Sequence, residues 1–142
     1  MNTFIKKIVQ NREVFIVEDS EGIGMAQSLL FQDDEGVPVG VICFWSEELD
    51  AKKCCAEDWK SYHTQSICLA TFIEDYLVPI YNESLIVGLN FDEKMQGLEA
   101  DPLNLLEILI LELKKQNCSL EFEYFKDLND LEKQINQLLT IE

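Results

Sequence analysis

The chain has 142 residues, with 11 Lys and Arg against 27 Asp and Glu, which leaves a net charge of −16 at pH 7. Apolar residues make up 47% and charged residues 27%, the balance of a globular domain, so disorder is excluded despite the charge. The acidic sign excludes a nucleic-acid or anionic-membrane binder, since either needs a basic footprint.

The N-terminus carries Lys6 and Lys7, but Arg12 and Glu13 follow before any long apolar stretch. That does not read as a secretory signal. No apolar run approaches the ~20 residues that span a bilayer. The expected location is cytoplasmic. Five cysteines, an odd number with Cys54 and Cys55 adjacent, read as reduced thiols rather than a disulfide framework. Cys43 and Cys68 sit in strand-like apolar runs and read as small apolar filler.

Phe4, Ile5, Ile8 and Val9 predict one apolar face of a short helix over residues 3–10. Val14-Phe15-Ile16-Val17 predicts a strand, ended by the acidic turn Glu18-Asp19-Ser20-Glu21-Gly22. A second strand is expected over 24–31 and a third over 39–44, with the turn Asp33-Asp34-Glu35-Gly36 between them. Three strands joined by short turns predict an antiparallel meander. Ser46 is placed to cap a helix over 47–55. Residues 65–69 predict a short strand. Thr71 and Glu74 have capping-box spacing for a helix carrying Phe72, Ile73, Tyr76 and Leu77, which Pro79 ends or kinks. Residues 85–91 predict another strand and 97–100 a short return.

Asp101-Pro102 marks a helix start, aspartate as cap and proline at the first helical position. The helix, 101–116, holds eight Leu and Ile on more than one face, which predicts cover on two sides. Leu120, Phe122 and Tyr124 alternate with Glu121 and Glu123, the pattern of a half-exposed strand. Asp127 is placed to cap an amphipathic C-terminal helix with Leu128, Leu131, Ile135 and Leu138 facing the body of the protein. The expectation is one α+β domain over 3–142, its mainly antiparallel sheet packed against helices.

No catalytic, cofactor or metal residue set emerges. The sole histidine, His63, lies eight residues after Cys55 and nine after Cys54, and no C-x-x-C exists. His63 with a thiol would make a nucleophile pair only by geometry, and its polar setting predicts a surface imidazole. The acidic turns at 18–21 and 33–35 do not follow the calcium-loop spacing and read as solvated hairpin tips. Phosphate-cradling glycine loops and the G-x-S-x-G elbow are absent. Trp45 and Trp59 flank the 47–55 helix, one or both serving the core, with a groove or interface as the alternative.

Phe4-Ile5-Lys6-Lys7 with Val9, then Glu13 through Gly22, open a series of short matches. It continues through Val41-Ile42-Cys43-Phe44-Trp45-Ser46, Trp59, Ile67-Cys68-Leu69-Ala70-Thr71-Phe72-Ile73, Leu85-Ile86-Val87-Gly88-Leu89-Asn90 and Ala100-Asp101-Pro102-Leu103. As an ensemble this resembles the bacterial family known as domain of unknown function 2750, over residues 3–116. Phe15 and Phe44 stand where the family usually has tryptophan and proline. Residues 117–142 look like an extension. The resemblance implies a small soluble bacterial α+β protein and supplies no catalytic residues.

The functional expectation is a non-enzymatic acidic module that binds a protein, itself or another. A homodimer through helix 101–116 or 127–140 is one route. An immunity-type role against a basic toxin is another, because negative potential speeds association with a basic protein. The alternative is a small-molecule binder or enzyme with a pocket floored by the sheet.

Overall fold

The computed structural model describes residues 1–141. Glu142, the last residue of the expected domain, lies outside the described residues. Helix α1 (Asn2–Asn11) buries Phe4, Ile5, Ile8 and Val9, the four residues of its apolar stripe. It ends where Arg12 turns left-handed at φ 59°.

Strand β1 (Glu13–Asp19) lies between β2 (Gly22–Ile23) and β5 (His63–Cys68), antiparallel to both. A second sheet has the order β3 (Met25–Gln32), β4 (Pro38–Phe44), β6 (Ile86–Leu89), β7 (Leu98–Ala100). In it β4 and β6 run parallel and the other pairs antiparallel. The two sheets meet where Phe15 and Trp45 exchange backbone hydrogen bonds of 2.8 and 2.9 Å.

The class is α+β, but the expected meander is corrected. The stretch read as one second strand splits at Gly24 between the two sheets. A Cβ on Gly24 would stand 3.1 Å from the Val17 side chain and 3.3 Å from the Trp59 ring. The bare backbone there lets the indole lie against the strands.

Side-chain alternation sorts the residues onto two faces. Val14, Ile16, Ile42, Phe44, Val87 and Leu89 face the main core. Phe15, Val17, Val41, Cys43, Trp45 and Ile86 face a smaller one. The main core is roofed by α1 and by α5 (Pro102–Lys115). It is also roofed by a continuous helical segment of α3 (Leu69–Thr71), a π-helical turn (Phe72–Leu77) and α4 (Val78–Asn82). Helix α6 (Leu128–Ile141) packs on α5 through Leu131 and Ile135. The smaller core is closed by α2 (Glu48–Lys53), through Ala51, and by Cys54 and Phe91.

Asp101 caps α5, its Oδ1 accepting from Leu103 N at 2.7 Å and Asn104 N at 3.4 Å. Asp127 Oδ1 likewise accepts from Asp130 N at 2.8 Å at the start of α6.

Several local expectations are corrected. Ser46 does not cap α2. Glu47 holds that position without a side-chain bond, and Ser46 is buried on Asn90, whose Oδ1 accepts from Ser46 N at 2.9 Å. Thr71 lies inside a helix and makes no capping box. Glu74 instead accepts from the N–H groups of Glu123 and Tyr124 at 2.8 and 2.6 Å. At those two residues the carboxylate takes bonds a neighbouring strand would take, and residues 120–124 form no strand. Pro79 does not end its helix. The turn before it is π-helical, a wider winding that relieves the loss of the proline N–H, and the helix runs on to Asn82.

Candidate functional site

Strand β3 pairs with β4 at Met25–Ile42, Ala26–Val41 and Gln27–Gly40, and then only at Gln32–Pro38. Four residues, 28–31, therefore stand against Val39 alone. This is a large bulge on an edge strand, a place where proteins redirect side chains. Pro38 contributes no N–H to the ladder.

Side chains replace the missing ladder. Ser28 is buried and donates its hydroxyl to Glu99 Oε1 on β7. Glu99 Oε2 accepts from Leu29 N at 2.9 Å. Ser28 Oγ accepts from Leu30 N at 3.1 Å and Phe31 N at 2.7 Å. The three N–H groups after Ser28 are all taken. An exposed strand edge normally invites another strand, and here that invitation is withdrawn.

What the bulge offers is apolar side chains. Leu29 is 75% exposed, Leu30 72% and Phe31 41%. Met25 and Val37, on the same hairpin, are each half exposed. The hairpin tip carries Asp33, Asp34 and Glu35, all exposed. Asp33 Oδ1 accepts from Glu35 N and Val37 N at 2.9 and 3.0 Å, which holds the turn. The sequence predicts an ordinary strand here. The available signal was Leu29-Leu30-Phe31 itself, three apolar residues in a row where a half-exposed strand alternates.

Beside Ala26 of the same strand lies a cavity of about 200 Å³. Its other walls are Cys54, Ala56, Glu57, Asp58, Trp59, Glu93 and Met95. Glu57 and Met95 hold left-handed backbone at φ 52° and 60°. Burial, then Cys55 and the carboxylates of Asp92, Glu93 and Asp50, push the Cys54 thiol up to about 11. Its Sγ donates to the carbonyls of Phe91 and Asp92 at 3.4 and 3.2 Å.

The residues singled out by sequence are not brought together. His63 is exposed, its Nε2 3.9 Å from Glu18 Oε1. Among the described residues no group of three His, Cys, Asp or Glu is arranged to hold a metal ion. Cys43 is buried, and burial pushes its thiol far up. The reading of Cys68 as filler is corrected: it is exposed. It sits at the edge of β5 and turns outward at the start of α3, where hydrogen bonding from the Thr71 side chain lowers its thiol. In the acidic turn at 18–21, Asp19 Oδ1 accepts from Glu21 N at 2.8 Å.

The two tryptophans divide. Trp45 is fully buried, its Nε1 donating to Phe91 O at 2.8 Å. Trp59 is partly exposed and stands edge-to-face with Tyr62 at 5.3 Å between ring centroids. An open hollow of about 660 Å³ is lined by Asn129, Glu132, Lys133, Asn136, Gln137 and Thr140 on the outer side of α6. No described helix is long and apolar enough to cross a membrane.

No curated protein and no solved structure matches the chain. A family model does, over residues 1–109, which takes in both sheets and the first half of α5. The chain belongs to the family described as Protein of unknown function (DUF2750).

Proposed function

We propose that this chain is an acidic protein-binding module that docks a basic partner through the β3 bulge. The carrying observation is the presentation of Leu29, Leu30 and Phe31 on a backbone whose N–H groups are already taken. Clustered exposed apolar side chains mark interaction sites, and such anchors supply most of the binding energy when they enter a partner's pocket. The exposed acids at 33–35 on the same hairpin favour a pocket with a basic rim. An immunity-type protein that neutralises a basic toxin is one form this would take.

The helix routes to a homodimer have less support. Helix α5 is covered by α1, α4 and α6, and Leu131 and Ile135 of α6 are spent on the body. Of the large apolar residues of α5, Leu111 stands exposed.

The test is capture of partners from lysate at low and moderate salt by wild type and by a Leu29→Ser/Leu30→Ser variant. A basic protein retained by wild type, released as salt rises and lost in the variant is the expected result. Equal capture by both proteins overturns the reading. The variant's melting temperature should match wild type, because both side chains are exposed.

A further inference from the structure

We propose that the cavity beside Ala26 receives an arginine side chain of the docked partner, a reading that rests on the protein-binding function above. The walls are of two kinds. Trp59, Met95 and Ala26 give apolar and aromatic surface, and Glu57, Asp58 and Glu93 give three carboxylates. The carboxylates come from separate segments, the 3-10 turn Glu57–Trp59 and the loop between β6 and β7. Among the described residues none of the three has an ion-pair partner. Lys53 lies in the neighbouring hollow, with Glu93 and Asp92, and makes no ion pair with either.

This mixture selects among cations. A metal ion wants converging oxygen ligands, and among the walls of the cavity are an indole and a thioether as well as carboxylates. A guanidinium is planar and weakly hydrated. It stacks on aromatic faces while donating sideways to carboxylates. Trp59 and the acids around it supply both contacts. Ala26 places the cavity on the same strand as the apolar bulge, three residues before Leu29. A partner segment with an arginine beside its apolar contact surface would engage both.

The test titrates the isotope-labelled full chain with N-acetyl-arginine amide and, separately, with N-acetyl-citrulline amide. Citrulline has the same shape without the charge. The Trp59 indole N–H and the Ala26 amide should shift with arginine and not with citrulline. The Trp45 indole, buried on Phe91, should stay still and serves as the internal control. Glu57→Gln, Asp58→Asn and Glu93→Gln should each weaken the arginine response about two- to fivefold, the range for one exposed charge pair. No arginine shift, or an equal citrulline shift, overturns the inference. Capture through Leu29 and Leu30 would survive that result, so the two readings fail separately.

Discussion

At the scale of single residues, Ser28 and Glu99 decide whether the apolar side chains of β3 face outward. The Ser28 hydroxyl serves two N–H groups and binds Glu99. Glu99→Gln keeps the shape and can still accept from Leu29 N, whereas Ser28→Ala strands the N–H groups of Leu30 and Phe31. Leu30 and Phe31 are exposed, so water can take up the freed groups and the cost stays below the about 1–3 kcal/mol of a fully buried unpaired group. Ser28→Ala should therefore speed amide exchange across 29–31 and weaken partner capture, while Glu99→Gln has the smaller effect. Unchanged exchange in Ser28→Ala would show that the bulge does not depend on this serine. The thiols make a second prediction. Cys68, exposed and lowered, should react first with a mild alkylating reagent, and Cys43 and Cys54, buried and raised, last. The Cys54 thiol lies at about 11 in the folded chain, above its ordinary 9.0. The stability this contributes is complete below pH 9 and is lost as pH rises through about 11. The fall in melting temperature across that window should be shallower in Cys54→Ala.

At the scale of elements, what was legible in the sequence was local. The cap and proline of α5 are adjacent residues that need nothing beyond the next turn. The two-faced alternation of β1 and β4 is likewise written in four or five consecutive side chains. What was not legible depended on a distant partner. Ser46 fails as a cap because Asn90, 44 positions away, holds it. In the alternating residues 120–124, which form no strand, the N–H groups of Glu123 and Tyr124 are taken by Glu74, about 50 positions away. Cys68 fails as filler because β5 is an edge strand, with β1 on one side only. The candidate site was missed for the same reason: the bulge is held by Glu99, 71 positions from Ser28. Asp101→Ala should cost about 1 kcal/mol by removing a helix cap. Glu74→Ala should loosen residues 120–124 and the seating of α6 while leaving β4 and β6 protected. Hydrogen exchange separates the two effects. Uniform loss of protection in Glu74→Ala would show that this carboxylate supports the whole fold rather than one segment.

At the scale of the whole molecule, the charge of −16 meets few opposite partners. The described ion pairs are Lys7 with Glu47, Lys52 with Glu48, His63 with Glu18 when the imidazole is protonated, and Lys114 with Glu132. Most of the 27 acidic residues are left facing water and one another. Net charge of this size opposes the compact state through self-repulsion. Salt screens that repulsion over a distance that shrinks to about 8 Å at 0.15 M. The same salt also weakens the exposed ion pairs, each of which is worth only about 0–1 kcal/mol. Repulsion outweighs attraction here because uncompensated acids far outnumber paired ones. Raising salt from near zero to about 0.15 M should therefore raise the melting temperature, while it lowers the affinity for a basic partner. The opposite signs are the informative part. A general salt effect on protein surfaces would not strengthen folding and weaken binding over one range of concentration. Melting curves and partner titrations on the same samples would read both slopes. A melting temperature that falls with salt would mean that the paired charges, few as they are, carry more of the fold than the unpaired ones oppose.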